Sequence, residues 1–236
     1  MPLMQLIYQL TGHINMKDIG KIYDLIASDY DSNYSDERVG NIVEAENNFI
    51  KEMMPYKFGS LLDCGSGTGL LFDLVDIKAS DYTGIDASKK MINIAKKKYP
   101  NINFLHSDFF EHYGWYDCVI SLFSVPDYCG IGTIKKSYDL LKNNGLFVST
   151  FINTNGAYKK IHCIQEMGID YDPHTFTFEE ISQELEKVGF NWYYILSIIN
   201  LEDSTDVQKM TNHLLENKHN LAEAKYFFVI GEKDET

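Results

Sequence analysis

Three glycines at alternate positions follow a short apolar run and an acid. The stretch reads Leu61-Leu62-Asp63-Cys64-Gly65-Ser66-Gly67-Thr68-Gly69, and Leu70-Leu71-Phe72 after it is typical of the start of a helix. A strand, a glycine turn and a helix in this order form the local geometry of nucleotide-type cofactor sites in open α/β sheets. Glycine is needed there because the chain turns sharply and because the ligand contacts bare backbone. The pattern predicts a cofactor site, and a tight turn without a ligand is the alternative.

The residues around this loop exclude two common phosphate-binding motifs. A dinucleotide loop has the order G-x-G-x-x-G, but Leu70 occupies the position of its third glycine. A P-loop ends in Gly-Lys-Ser or Gly-Lys-Thr, and no lysine lies between Gly65 and Asp73. The loop therefore carries no positive charge for a phosphate and suits a nucleoside ligand without a pyrophosphate.

Two further acids follow segments that are typical of strands. Tyr82-Thr83-Gly84-Ile85 ends in Asp86, and Asn103 to Ser107 ends in Asp108. Ligands of open α/β sheets bind beyond the carboxyl ends of the strands, and a carboxylate at the end of the second strand can accept both ribose hydroxyls. Asp86 is therefore predicted to bind the ribose of the ligand.

Together these motifs resemble those of class I S-adenosylmethionine-dependent methyltransferases. The glycine loop with its preceding acid is similar to the first motif of that family, and Asp86-Ala87-Ser88 with Met91 matches its D-x-S-x-x-M pattern. The resemblance extends from Lys17 to Gly231. It implies S-adenosyl-L-methionine as the cofactor and no metal.

The resemblance also implies which residues bind the cofactor. In the family the acid after the third strand accepts the adenine amino group, and the next backbone N–H contacts a ring nitrogen; Asp108 and Phe109 match these positions. The complete predicted set is Asp63, Gly65, Ser66, Gly67, Gly69, Asp86, Ala87, Met91, Ser107, Asp108, Phe109, Leu122, Tyr30 and Arg38.

The last two residues of that set belong to a helical segment before the first strand. The segment from Tyr23 to Asp31 resembles the lead-in that folds over the cofactor as a lid in many of these enzymes, with Tyr30 as a contact. Arg38, the only arginine, matches the region where related enzymes pair an arginine with the methionyl carboxylate. Packing of the tyrosine against the sheet and a solvated surface arginine are the alternatives.

The remaining pattern predicts an α/β fold in which helices alternate with strands. A nearly continuous apolar run, Tyr116 to Phe123, is typical of a parallel strand covered on both faces. Two β-rich stretches at the end of the chain resemble the antiparallel ending of the methyltransferase sheet. We therefore expect a doubly wound, seven-stranded, mostly parallel sheet of order 3-2-1-4-5-7-6, with residues 1–55 as a helical lid, residues 56–236 as the core domain, and insertions at 152–176 and 200–225.

The composition of the chain limits the kinds of substrate and partner that it can bind. The formal net charge is −13, with 34 acidic and 21 basic residues, which counts against a nucleic-acid substrate. Four cysteines without a C-x-x-C pair indicate a reduced, cytoplasmic protein without a zinc site. No apolar run reaches the length of a membrane span, and no signal peptide is predicted. Residues 200–225 are open to two interpretations, a homodimer contact or a cap.

The sequence favours a methyltransferase that acts on a small molecule by in-line displacement. Residues 121–128 should lie beside the transferred methyl group, because they follow the fourth strand. No general base is assigned, and the candidates are Asp127, Tyr128, His162 and His174. His106 is expected to pack inside its strand and His112 to lie at the surface. An RNA or protein methyltransferase and a non-catalytic cofactor-binding module are the alternatives.

Overall fold

The computed structural model describes residues 19–34, 47–48, 50–52, 54, 59–156, 173–198 and 224–235. Its centre is a seven-stranded sheet of order β3-β2-β1-β4-β5-β7-β6. The strands are β1 Leu61–Cys64, β2 Tyr82–Asp86, β3 Asn103–His106, β4 Tyr116–Ser121, β5 Leu141–Ile152, β6 Phe190–Ile198 and β7 Tyr226–Lys233. The first five strands pair in parallel, and β7 runs antiparallel between β5 and β6. The predicted fold class and strand order are confirmed.

Within the described residues, two α-helices precede the sheet in the chain, and five others lie between its strands. They are α1 Ile19–Ile26, α2 Tyr30–Tyr34, α3 Leu70–Leu74, α4 Lys89–Lys98, α5 Val125–Cys129, α6 Gly132–Leu140 and α7 Phe178–Val188. None of the helices in the described part of the chain is both long and apolar enough to span a membrane.

The central strands are buried on both faces, which explains their apolar sequences. Leu61 and Cys118 belong to one hydrophobic cluster, while their chain neighbours Leu62 and Val119 belong to a second. Because successive side chains of a strand point to opposite faces, the two clusters form the two layers of the core. β1 and β4 are therefore packed between these two layers, which fixes the position of the turns that follow them.

The sequence signals at helix ends correspond to observed caps. The Ser88 hydroxyl accepts the Met91 N–H at 3.1 Å and begins α4. Thr177 and Glu180 form a capping box at the start of α7, and Gly189 ends that helix in the left-handed conformation, with φ of 99°. Each of these ends is therefore marked by residues close together in the sequence.

Two histidines differ from expectation. His112 is buried rather than at the surface, because its Nε2 lies 2.9 Å from the Tyr116 hydroxyl and its ring stacks on that tyrosine. Burial lowers the pKa of His112. His106 is exposed rather than packed, and its Nε2 lies 3.0 Å from the Ala87 carbonyl oxygen.

The fifth strand begins earlier than its apolar run indicates. Leu141 already pairs with Tyr116, and the register then shifts so that Leu146 pairs with Cys118. Asn144 in the shifted segment has a φ of 58°, a conformation that asparagine tolerates better than most residues. Most of the predicted insertions at 152–176 and 200–225, and most of the predicted helical lid at 1–55, lie outside the described residues.

Candidate functional site

A cavity of about 470 Å³ lies at the carboxyl ends of β1, β2, β3 and β4. The chain order of the sheet reverses between β1 and β4, and open α/β sheets bind ligands at such a reversal because the connections on its two sides diverge. The glycine loop after β1 forms one part of the cavity wall, and the turns after β2, β3 and β4 form others. Residues of α1 and α2 complete the wall.

The glycine loop is held against β2 by its backbone. The N–H groups of Gly65 and Ser66 donate to the Ile85 carbonyl oxygen at 2.8 and 2.9 Å. Gly65 has a φ of 75°, and a Cβ at this position would lie 1.8 Å from the Ser124 Oγ. Gly67 has a φ of 54° and lines the cavity, and a Cβ there would meet no atom within 4 Å. The loop thus presents bare backbone to open space at Gly67.

The third glycine has a different position. Gly69 has a φ of 89°, immediately before α3, and a Cβ on it would lie 2.7 Å from the Phe104 ring and 3.0 Å from the Tyr99 ring. It does not line the cavity. The packing of this turn against two aromatic rings is the physical reason for glycine here.

Asp86 joins the glycine loop to the turn after β2. Its carboxylate accepts the Gly67 N–H at 2.9 Å and the Ser88 N–H at 2.7 Å. Burial raises the pKa of Asp86, and the two N–H donors act in the opposite direction. Each carboxylate oxygen has a second lone pair, so Asp86 can still accept ligand hydroxyls from the cavity that it lines.

Asp63 lies at the base of the cavity and is almost fully buried. The Tyr82 hydroxyl donates a hydrogen bond to its carboxylate. Burial raises the pKa of Asp63 to about 7, although the hydrogen bond from Tyr82 lowers it. This carboxyl therefore changes charge near neutral pH.

The turn after β3 supplies an exposed acid beside a buried ring. The Ser107 N–H donates to the Asp86 carbonyl oxygen at 3.0 Å, which places the two turns side by side. The Asp108 carboxylate is exposed and accepts the Phe110 N–H at 2.8 Å, while Phe109 is buried. Both Asp108 and Phe109 line the cavity.

The turn after β4 has a strained residue. Phe123 has a φ of 49°, which is uncommon for a residue with a large side chain. Its N–H donates to the Thr150 Oγ1 at 2.5 Å, and its ring packs edge-on against Tyr226, with the centroids 5.1 Å apart. Strained residues of this kind cluster at ligand sites, and Phe123 lines the cavity.

The N-terminal helices are attached to the cofactor loops by acidic side chains. Asp24 on α1 accepts the Ser88 hydroxyl at 2.6 Å and the Lys90 N–H at 2.8 Å. Asp31 on α2 accepts the Thr68 hydroxyl at 2.6 Å and forms an ion pair with Lys98. These contacts hold α1 and α2 beside the loops that follow β1 and β2.

Three tyrosines form an aromatic surface within the cavity, which we call the tyrosine wall: Tyr23 of α1, Tyr30 of α2 and Tyr128 of α5. The Tyr23 ring meets both of the others edge-on, with centroids 6.1 Å from Tyr30 and 5.8 Å from Tyr128. The hydroxyls of Tyr23 and Tyr128 are in hydrogen-bond contact.

The predicted cofactor residues fall into three groups. Gly69 lies outside the cavity wall, and Arg38 lies outside the described residues. The residues that line the cavity are Asp63, Gly65, Ser66, Gly67, Asp86, Ala87, Met91, Ser107, Asp108, Phe109, Leu122 and Tyr30. Met91 also packs against Ile26 and Ala27 of the α1 segment.

Several wall residues carry no role in the sequence-based prediction. Thr68 lies between two glycines of the loop, and Asp31 directly follows Tyr30. Their positions beside predicted cofactor residues were the sequence signal that could have indicated both. Cys129 also lines the cavity, and so does Ser124, which belongs to the segment expected beside the transferred methyl group. Only the tertiary structure brings Asp31 to Thr68, because 37 residues separate them in the chain.

The candidate bases differ in their position relative to the cavity. Tyr128 lines the cavity, while Asp127 and His174 do not. Asp127 is buried, which raises its pKa well above the ordinary value. Its backbone carbonyl oxygen accepts a hydrogen bond from the backbone N–H of His174 at 2.8 Å. His162 lies outside the described residues.

Residues 61–145 match the family model of a methyltransferase domain. This match covers rather more than a third of the chain. The matched residues run from β1 into β5 and include the glycine loop and the turns after β2, β3 and β4.

Two curated relatives are methyltransferases by name. Demethylmenaquinone methyltransferases of Chlorobaculum parvum and Chlorobaculum tepidum are each 28% identical to this chain over 141 residues. Each alignment covers 54% of this chain and 58% of the relative, so the chain spans little more than half the length of these relatives.

Solved structures share the methyltransferase fold. A possible histamine N-methyltransferase from Thermotoga maritima superposes with a TM-score of 0.65 at 15% identity, over 93% of this chain and 100% of the other. Phosphoethanolamine N-methyltransferase 2 of Haemonchus contortus with S-adenosyl-L-methionine gives 0.61 at 16% identity, over 95% and 61%. Magnesium protoporphyrin IX methyltransferase of Synechocystis with the same cofactor gives 0.57 at 16%, over 94% and 99%.

The residues of the cavity fit S-adenosyl-L-methionine. Gly67 leaves open space where a side chain would block a ligand, and the Asp86 carboxylate borders the same space. The Ser66 Oγ is buried and has no hydrogen-bond partner within the described part of the structure. Acceptor oxygens, bare backbone and an apolar floor are the groups that an adenosyl ligand needs.

Proposed function

We propose that this protein transfers a methyl group from S-adenosyl-L-methionine to a small-molecule acceptor by in-line displacement. When bound, the cofactor supplies a methyl group that is already activated on a sulfonium. The observation that carries the proposal is the convergence of Gly67, Asp86 and Asp108 from three strand ends on one cavity.

Each of these residues has a defined task in the proposal. Gly67 offers backbone that the ligand can approach closely, and Asp86 accepts the ribose hydroxyls while it holds the loop through the Gly67 N–H. Asp108 accepts the adenine amino group, and the N–H of Phe109 donates to a ring nitrogen. Ordered wall residues then align the nucleophile with the methyl group, and alignment alone can contribute roughly 7–11 kcal/mol to catalysis.

Three observations support a small acceptor. The cavity volume of about 470 Å³ lies within the range of small-molecule sites. The net charge of −13 opposes contact with nucleic-acid phosphates. The curated relatives are named for demethylmenaquinone, which is a small molecule.

Isothermal titration with S-adenosyl-L-methionine tests the cofactor half of the proposal. We expect saturable binding by the wild type. Asp86→Ala should weaken binding at least tenfold, since a hydrogen bond to a charged group contributes about 1.5–3 kcal/mol. Asp76→Ala removes an exposed acid that does not line the cavity and should bind as the wild type does.

Two outcomes would contradict the assignment. A folded wild-type protein that releases no heat with high micromolar cofactor does not bind it. Equal affinities of the Asp86→Ala and Asp76→Ala variants would remove Asp86 from the site. Circular dichroism of each variant before titration separates loss of binding from loss of fold.

A further inference from the structure

The tyrosine wall comes from other elements of the chain than the acids assigned to adenosine. Asp86 and Asp108 follow β2 and β3, whereas Tyr128 lies on α5, which follows β4 across the reversal of the sheet. Tyr23 of α1 contacts both Tyr30 of α2 and Tyr128. Tyr30 also belongs to the predicted cofactor set, but Tyr23 and Tyr128 have no role in recognition of the nucleoside.

Aromatic faces attract cations. The ring quadrupole places negative charge on the face of a tyrosine, and recognition of ammonium ligands by several rings around one space depends on it. Neighbouring rings of the tyrosine wall are about 6 Å apart and meet edge to face, at interplanar angles of 64° and 86°. All three residues line the same cavity, and each brings an aromatic ring and a hydroxyl group to it.

Charge in the cavity favours the same type of guest. Among the described wall residues, four are acids and one is a lysine. That lysine, Lys98, is paired with Asp31. Asp63 carries only part of a charge at neutral pH, because its pKa is about 7, but the other three acids still outnumber the lysine and favour a cation or a neutral molecule over an anion. The acids are Asp31, Asp63, Asp86 and Asp108.

We propose that the acceptor is an amine and that its nitrogen binds against the tyrosine wall. This inference rests on the proposed function, because it names the class of acceptor for the same cavity. The amine lone pair forms the bond to the methyl carbon, while the carbon–sulfur bond breaks and leaves its electron pair on sulfur. The positive charge moves from sulfur to nitrogen. A primary or secondary amine then releases a proton to water, and a tertiary amine becomes a quaternary ammonium.

The cavity suits this reaction better than methylation of an oxyanion or carbanion. Positive charge is present before and after transfer to an amine, and both the rings and the carboxylates stabilise it throughout. An anionic acceptor needs a positive partner. In the described wall the lysine that could supply one is already paired with Asp31.

A pair of probes with nearly equal shape tests the inference. Choline carries a quaternary ammonium, and 3,3-dimethylbutan-1-ol has carbon in place of that nitrogen. Each is titrated into protein saturated with S-adenosylhomocysteine. We expect choline to bind about two- to thirtyfold more tightly than the alcohol, the range of a cation–π contact.

Variants of the tyrosine wall separate charge recognition from shape. Tyr128→Leu should reduce the preference for choline over the alcohol, and Tyr128→Phe should keep it because the ring remains. Tyr113→Leu is the matched control, because Tyr113 is 83% exposed and does not line the cavity. Each variant is titrated at a saturating S-adenosylhomocysteine concentration determined for that variant.

The outcomes distinguish this inference from the function on which it rests. No binding of S-adenosylhomocysteine overturns the proposed function. Binding of S-adenosylhomocysteine with equal affinity for choline and the alcohol, or with neither bound, overturns the amine inference alone. A Tyr128→Leu variant that keeps the full preference for choline, or methyl transfer to demethylmenaquinone without any preference for cations, also overturns it.

Discussion

Gly65 and Gly67 lie two positions apart in the same loop and both have a positive φ, yet glycine is needed at each for a different reason. A side chain at Gly65 would collide with Ser124, whereas a side chain at Gly67 would project into open space that the cavity occupies. The first glycine allows the protein to pack. The second leaves room for a ligand.

The two glycines should differ in how their exchange affects cofactor binding. Gly67→Val should abolish cofactor binding, because the side chain fills the space at the loop, and it should also cost about 1–3 kcal/mol of stability because a β-branched residue is strained at a φ of 54°. Gly65→Ala should lower the free energy of unfolding by about 1–3 kcal/mol, the usual cost of overpacking. Titration calorimetry and urea unfolding measure the two effects.

The opposite pattern would contradict this division. A normal dissociation constant for Gly67→Val would show that the ligand does not approach the loop backbone. An unchanged unfolding free energy for Gly65→Ala would show that Ser124 moves aside at no cost.

Asp63 makes stability depend on pH. Burial raises its pKa to about 7, so between about pH 4 and 7 the folded state keeps a proton that the unfolded state has lost. Stability therefore falls as the pH rises through this range and is constant above it. A pKa raised this far corresponds to a loss of about 4 kcal/mol.

The variant Asp63→Asn should remove this dependence. Its free energy of unfolding relative to the wild type should be about 2–3 kcal/mol greater at pH 8 than at pH 5. Urea unfolding without ligand at the two pH values measures the difference. Parallel curves for the two proteins would show that Asp63 does not titrate in this range.

Asp117 provides a control, because its pKa is shifted in the opposite direction from that of Asp63. Burial acts to raise its pKa, but hydrogen bonds from Lys142 and Ser60 outweigh burial and hold the pKa below the ordinary value. Its contribution is lost only as the pH falls below about 4, where an ordinary aspartate gains its proton. Asp117→Asn should therefore differ from the wild type by the same amount at pH 5 and pH 8.

At the scale of elements, α1 and α2 are parts of the site although they precede the sheet in the chain. α1 is joined to the start of α4 through Asp24, and α2 is joined to the glycine loop through Asp31. The close approach of α1 needs a glycine, since a Cβ at Gly20 would lie 2.1 Å from the Ala87 carbonyl oxygen. We infer that the two helices act as a lid over the bound cofactor.

Loss of the Asp24 contact should release α1 without unfolding the core. Asp24→Ala leaves the Ser88 hydroxyl and the Lys90 N–H without this acceptor, at a cost of about 1–3 kcal/mol. We expect faster hydrogen exchange in α1 and a five- to thirtyfold faster release of S-adenosylhomocysteine, which corresponds to about 1–2 kcal/mol.

Asp29→Ala is the matched control on the same segment. The Asp29 carboxylate is exposed and accepts only a hydrogen bond from the Ser28 hydroxyl among the contacts described. It should release the ligand at the wild-type rate. Equal release by the two variants would show that α1 does not retain the cofactor.

At the scale of the whole molecule, the site is a product of the sheet. Residues of four strand ends and two preceding helices border one cavity, and the two layers of the core hold those strand ends in place. A ligand bound there contacts parts of the chain far apart in sequence. Its binding energy should therefore stabilise the molecule as a unit.

Saturation with S-adenosylhomocysteine should raise global stability. At a free concentration 100 times the dissociation constant, the free energy of unfolding rises by about 2.7 kcal/mol. For a chain of this size that corresponds to an increase in Tm of about 5–10 °C. A thermal shift experiment measures it, and adenine at the same concentration is the control.

An unchanged Tm together with measurable binding would contradict a ligand site built from the folded core. It would indicate binding to the unfolded chain as well. An increase in Tm with adenine alone, equal to that with the complete cofactor product, would limit the site to the turns after β2 and β3.

The sequence by itself determined the glycine loop, the strand-end acids and the helix caps, whereas the sheet order was expected from the resemblance to a known family. The features that the sequence determined have local causes: Gly67 needs a positive φ, Asp86 follows an apolar strand directly, and Thr177 with Glu180 caps a helix within one turn. Local patterns of this kind can be read along the chain, because the residues that interact are close in sequence.

Only the tertiary structure decided how distant residues meet. Tyr23 and Tyr128 are 105 residues apart, and Asp31 and Thr68 are 37 apart, so no periodicity links them. The burial of His112 depends likewise on packing against Tyr116. The raised pKa of Asp63 arises from the layers that cover β1, because the cost of a buried charge depends on everything around it and not on its neighbours in the chain.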